Sequence, residues 1–119
     1  IDIEKLVISL GVKQDNVRVI NSYDLTEIEE TLKEELDKPS PSVVITKEPC
    51  VLQYRVKEEP YTVDTEKCTG CKRCIKVGCI ALSMTEDESG EKSYASIDPN
   101  FCTGCSVCAQ MCKFEAIVK

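Results

Sequence analysis

Eight cysteines in the second half of the chain stand at spacings that suit a metal centre. They form two groups, Cys68, Cys71, Cys74 and Cys79, then Cys102, Cys105, Cys108 and Cys112. Repeated C-x2-C steps aim several sulfurs at one place, which a set of separate disulfides does not need. Cys102-x2-Cys105-x2-Cys108-x3-Cys112 has the spacing of bacterial 4Fe–4S ligation, in which the fourth Cys of a run binds the other cluster. The expected ligand sets follow. Cys68, Cys71, Cys74 and Cys112 hold one 4Fe–4S cluster, and Cys102, Cys105, Cys108 and Cys79 hold a second. The chemistry is electron transfer, one electron at a time.

The first group departs from the pattern, with four residues rather than three between Cys74 and Cys79. The extra residue bulges the turn, and Gly78 eases it. Neither group has a Pro after its fourth Cys; Ile80 and Lys113 stand there instead. Eight thiolates also suit two tetrahedral zincs, but zinc domains separate their C-x2-C pairs by a dozen or more residues, whereas here a third Cys follows at once. The doubled spacing favours iron–sulfur. Cys50 has no place in either set and reads as a small buried hydrophobe. There is no His, which removes His-based catalysis, Rieske ligation and His-containing zinc sites. The glycines form neither G-x-G-x-x-G nor a P-loop. Lys72, Arg73 and Lys76 flank the first group, either docking an acidic electron carrier or offsetting an anionic cluster.

The elements that position these sulfurs repeat. Tyr61-Thr62-Val63-Asp64 precedes Cys68-Thr69-Gly70-Cys71, and Ala95-Ser96-Ile97-Asp98 precedes Cys102-Thr103-Gly104-Cys105, an offset of 34 positions. Each copy is expected to give a short strand, a cysteine loop and a helical turn, related by a pseudo-two-fold, with residues 85–92 as a hairpin-like connection. Gly70 and Gly104 let the backbone approach a cluster with no side chain in the way. Residues 61–119 thus read as an α+β, ferredoxin-like two-cluster domain. Metal ligation makes up for its small core.

Residues 1–49 have a different character. Ile3, Leu6, Val7 and Leu10 recur at helical spacing between Asp2 as cap and Gly11 as stop. Val17 to Ile20 reads as a strand. Asp24 or Thr26 caps a second helix whose apolar stripe is Leu25, Ile28, Leu32 and Leu36, ended by Pro39 and Pro41. Val43 to Ile45 reads as a buried parallel strand. Helix, strand, helix, strand is the repeat of a doubly wound α/β sheet, yet about 50 residues cannot close one independently. The segment reads as the truncated edge of a larger domain. Residues 50–60 are the expected joint, extended from Cys50 to Val56 and then a polar linker.

Composition agrees with this division. Of a net charge of −6 over 119 residues, residues 1–59 carry −5 and residues 60–119 only −1. No concentrated basic face for nucleic acid is present, and no apolar run reaches the roughly 20 residues of a membrane span. No signal peptide stands near Ile1, so a soluble cytoplasmic protein is expected, and the missing initiator Met reads either as removal of residues or as the C-terminal end of something longer.

Nearly all of the chain resembles the C-terminal end of the large (alpha) subunit of indolepyruvate:ferredoxin oxidoreductase, a thiamine-diphosphate-dependent 2-oxoacid oxidoreductase. The matching features are Gly11-Val12 after a helix, Pro41-Ser42-Val43-Val44-Ile45-Thr46 leading to Glu48-Pro49-Cys50-Val51-Leu52, and Cys68-Thr69-Gly70-Cys71-x2-Cys74-x4-Cys79 with the family's wider last gap. The absent prolines are a difference. The resemblance implies that residues 1–49 end a thiamine-binding α/β domain. It also implies decarboxylation of an aryl pyruvate on thiamine diphosphate with Mg, acyl transfer to coenzyme A, a smaller beta subunit, and ferredoxin as electron acceptor. The thiamine motif itself is absent from these residues, which hold no catalytic group. A stand-alone two-cluster ferredoxin and an electron-transfer subunit of another oxidoreductase are the alternatives.

Overall fold

The computed structural model describes residues 1–54 and 58–119 and divides into two units, Ile1–Pro49 and Cys50–Lys119. In the first unit, helix α1 spans Ile3–Ser9, with the Asp2 carboxylate accepting from the Lys5 N–H at 3.1 Å. Gly11 ends it in the left-handed region at φ +99°, its N–H donating to the Ile8 carbonyl. Strand β1 (Val17–Ile20) and strand β2 (Val43–Thr46) pair in parallel, Val17 against Val43 through Ile20 against Thr46. Parallel neighbours need a crossover, and helix α2 (Leu25–Leu36) supplies it.

Asp24 caps α2, accepting from the N–H groups of Thr26 and Glu27 at 3.0 Å each. Glu27 reaches past its cap to accept from the Asn21 N–H at 3.1 Å. The buried residues of this helix are Thr31 and Glu35, while Leu32 and Leu36, two members of the expected apolar stripe, are exposed. Glu35 is buried as an ion: Lys38 lies 2.7 Å away and Arg18 3.5 Å away. The Lys38 ammonium, with Arg18 adding to it, holds the Glu35 carboxyl below its ordinary range. A short 3-10 turn, Gln14–Asn16, with no distinct sequence signal, precedes β1. It buries Asn16, whose amide donates to Ser40 Oγ at 2.7 Å and to the Pro41 carbonyl at 3.0 Å, bonds between residues 24 and 25 positions apart.

The second unit begins with one helical turn, α3 (Val51–Tyr54), where an extended stretch was expected. The Cys50 carbonyl accepts from the N–H groups of both Gln53 and Tyr54, and these bonds select the turn. The rest of that expected stretch, Arg55 and Val56, and the first linker residue, Lys57, lie outside the described residues. Four strands follow: β3 (Thr62–Val63), β4 (Leu82–Glu86), β5 (Ser93–Ile97) and β6 (Ile117–Val118). They pair antiparallel and reciprocally, β3 with β6 and β4 with β5. The first strand of each copy thus joins the last strand of the other, as a pseudo-two-fold requires. Residues 87–92 close the β4–β5 hairpin, with the Asp87 carboxylate accepting from the N–H groups of Glu91 and Lys92.

The core of this unit is small: Ala95, Ile117, Cys74 and Cys108, with Val63, Leu82, Met84 and Ile97 packed against it. Two of its four buried members are cysteines from the metal-type motifs, so the sulfurs belong to the core itself. No helix among the described residues is long and apolar enough to cross a membrane.

Candidate metal centres

Each cysteine loop is built the same way. Asp64 and Asp98, 34 positions apart, start the two loops. Asp64 N–H donates to the Ala116 carbonyl at 2.7 Å and Asp98 N–H to the Ala81 carbonyl at 2.8 Å. Their own carbonyls accept from Cys68 N–H and Cys102 N–H, both at 3.0 Å. Their carboxylates accept from the N–H groups of Glu66 and Asn100. Both aspartates recur at the same offset in the sequence, the one local sign of this role.

After the first cysteine of each loop the backbone turns left-handed twice. Gly70 and Gly104 have φ +66° and +75°, and Lys72 and Ser106 have φ +60° and +66°. Gly70 has a second reason to be glycine, because a Cβ there would lie 2.3 Å from the Ser93 carbonyl oxygen. At Gly104 a Cβ would lie 2.5 Å from Glu58 Cβ and 2.7 Å from the Glu59 carbonyl oxygen. The third cysteines then enter helical turns, a 3-10 turn at Cys74–Val77 and helix α4 at Val107–Gln110. In the first copy the turn ends on Gly78 at φ +72°, which takes up the extra residue before Cys79.

One cavity is lined by Cys68, Cys71, Cys74 and Cys112 together, three from the first copy and one from the second. Met84, Ala95, Phe114, Ala116 and Ile117 give it an apolar wall. The Ala95 N–H donates to Cys68 Sγ at 3.5 Å, a contact of the type that tunes a metal-bound sulfur. Cys74 is buried, Cys68 and Cys112 are half-buried, and Cys71 is exposed. Burial raises the Cys74 thiol above its ordinary range, and negative charge on Cys68 and Cys112 adds to the push.

The second group behaves likewise. Burial pushes the Cys108 thiol up to about 11, helped by charge on Cys105 and Cys102 and, more weakly, on Cys79. Cys102 and Cys108 are buried, and Cys105 and Cys79 are half-buried. The first set lines one cavity with three residues of the same loop and one residue of the other copy. Soft thiolates are the right donors for an iron–sulfur centre, and loading it must expel the thiol protons. Cys50 is exposed, not the buried hydrophobe expected.

Comparison with known proteins agrees. Residues 67–116 match the model of the 4Fe-4S dicluster domain. Indolepyruvate oxidoreductase subunit IorA of Pyrococcus horikoshii is 40% identical over 126 residues, covering 98% of this chain and 18% of that subunit. The IorA of Methanothermobacter thermautotrophicus is also 40% identical, with the same coverage. An uncharacterized ferredoxin of Methanocaldococcus jannaschii is 43% identical over 58 residues, 47% of this chain and 71% of that protein. The chain spans about a fifth of the length of the IorA subunits it matches. With its paired thiol sets and this likeness, the chain belongs to the 4Fe–4S dicluster ferredoxin family, in the form found in the C-terminal region of the IorA subunits.

Proposed function

We infer that residues 61–119 are the electron outlet of a 2-oxoacid oxidoreductase acting on indolepyruvate or a related aryl pyruvate. Cys68, Cys71, Cys74 and Cys112 hold one 4Fe–4S cluster, and Cys102, Cys105, Cys108 and Cys79 hold the other. When bound, the clusters supply one-electron transfer. The chain's own part is to exchange the fourth ligand between copies, to keep water from the buried sulfurs, and to direct the Ala95 N–H at Cys68. The lining of a single cavity by Cys112 with the three first-copy cysteines carries this reading.

Residues 1–49 belong, on the same reading, to the edge of a doubly wound thiamine-binding domain, joined through residues 50–60. Exposed apolar residues support it: Leu10 is 76% exposed and Leu36 81%, and α1 buries none of its residues. A helix and a stripe left open in this way call for a covering layer. The whole enzyme, cytoplasmic and with a smaller beta subunit, uses thiamine diphosphate with Mg, coenzyme A and ferredoxin.

Deleting residues 61–119 from the full-length subunit tests this. The truncated enzyme is expected to keep decarboxylation of indolepyruvate, followed as released carbon dioxide in single turnover. It is expected to lose ferredoxin reduction by a factor of at least 100. Ferredoxin reduction at the undiminished rate contradicts the reading.

A further inference from the structure

The two cysteine loops share a backbone but not a charge. Lys72, Arg73 and Lys76 of the first copy correspond, 34 positions on, to Ser106, Val107 and Gln110 of the second. Lys72 and Arg73 line the cavity of Cys68, Cys71, Cys74 and Cys112. Lys76 is exposed on the 3-10 turn that follows Cys74. Lys113, also exposed, stands between Cys112 and Phe114, both of which line that cavity. Its counterpart after Cys79 is Ile80. Four cations thus gather at the first thiol set, and the matching positions of the second set carry none.

These cations are available for a partner. No ion pair among the described residues engages Lys72, Arg73, Lys76 or Lys113. On the cluster assignment above, the second set would hold an equally anionic centre with no cation at the matching positions, so counter-charge alone does not account for them. Three of them on the first cysteine loop and a fourth beside Cys112, in a chain of net charge −6, make a local charge opposite to that of the whole. Such a charge steers and orients a negatively charged partner. Cys71, the exposed member of the first set, lies at the same mouth.

We propose that the first centre is the exit, and that an anionic protein electron carrier docks on Lys72, Arg73, Lys76 and Lys113 to receive the electron there. This rests on the cluster assignment above. The balance is one electron lost by the protein-bound centre and gained by the carrier, with no bond or proton exchanged.

The test uses the full-length subunit with its clusters reconstituted. Oxidised plant-type [2Fe–2S] ferredoxin, an acidic carrier, is titrated in by calorimetry at low and high salt. The variant Lys72→Ser/Arg73→Val/Lys76→Gln grafts the second copy's residues onto the first, and Ser106 already adopts the left-handed conformation of Lys72. Iron content and cluster spectrum are expected to stay at the unmodified level. Ferredoxin Kd is expected to rise tenfold or more at low salt, and its salt dependence to flatten. Electron transfer to cytochrome c, a basic carrier, is expected to hold or rise. A fully loaded variant that binds ferredoxin within twofold of the parent overturns the docking site and leaves the clusters standing. An unmodified protein that holds no iron–sulfur overturns the cluster assignment instead. If the triple variant loads poorly, Lys72→Gln/Lys76→Gln, both at exposed positions, carries the same two outcomes.

Discussion

Cys112→Ser is expected to remove the first centre, not the second, although Cys112 belongs to the second copy. Cys112 lines the cavity of Cys68, Cys71 and Cys74, and its charge acts on Cys74. Iron per chain is expected to fall from about eight to about four, with acid-labile sulfide falling in step. The electron paramagnetic resonance signal lost should be the one that Cys68→Ser loses, and Cys79→Ser should remove the signal lost in Cys102→Ser. Stability should fall as well, because each exchanged ligand ties one copy to the other in a unit whose own core is small. A Cys112→Ser protein that keeps the signal missing from Cys68→Ser contradicts the exchange.

Gly70→Ala is the second large effect. The left-handed φ costs a non-glycine residue about 1–2 kcal/mol. A Cβ pressed to 2.3 Å from the Ser93 carbonyl oxygen must also move the β5 backbone, since no flexible side chain is there to give way. Overpacking of that kind adds about 1–3 kcal/mol. A total destabilisation of about 2–5 kcal/mol is expected from denaturant unfolding of the reconstituted protein, followed as loss of cluster absorbance. Gly90 provides the control. Its φ is +71°, but a Cβ there meets nothing within 4 Å, so Gly90→Ala should cost only the conformational part. Equal losses at the two positions would show that the contact with Ser93 does not matter.

Gly70 and Gly104 illustrate what could be read from sequence. Their recurrence within Cys-Thr-Gly-Cys marks both as places of close backbone approach, while the left-handed φ of each is seen only in the fold. The neighbours that forbid a side chain, Ser93 for one and Glu58 and Glu59 for the other, lie far along the chain and leave no local trace. Asn16 escaped for the same reason, because its partners Ser40 and Pro41 are brought in by the crossover. In α2 the helix and its Asp24 cap were legible, but the buried side was not. Thr31 and Glu35 face inward, Glu35 through its pairing with Lys38 and Arg18, while Leu32 and Leu36 of the expected stripe are exposed. Hydrophobic patterning marks the face that wants covering, and in this chain part of that face has nothing over it. At Cys50–Tyr54, residues of strand-like type form a single helical turn. Four residues are too few for periodicity to choose between the two, and the Cys50 carbonyl decides it.

The repeat was the most legible feature, because it appears as identity at a fixed offset. The reciprocal strand pairs, the matched aspartates and the paired left-handed residues all follow from two copies of one unit folding around each other. The same comparison exposes what the copies do not share, the cations of the first loop, and that difference separates an exit from a second relay.

Chemical analysis of anaerobically reconstituted protein tests the central claim most directly. The account predicts brown protein with about eight irons and about eight acid-labile sulfides per chain. Colourless protein saturated with about two zincs and devoid of sulfide would contradict it.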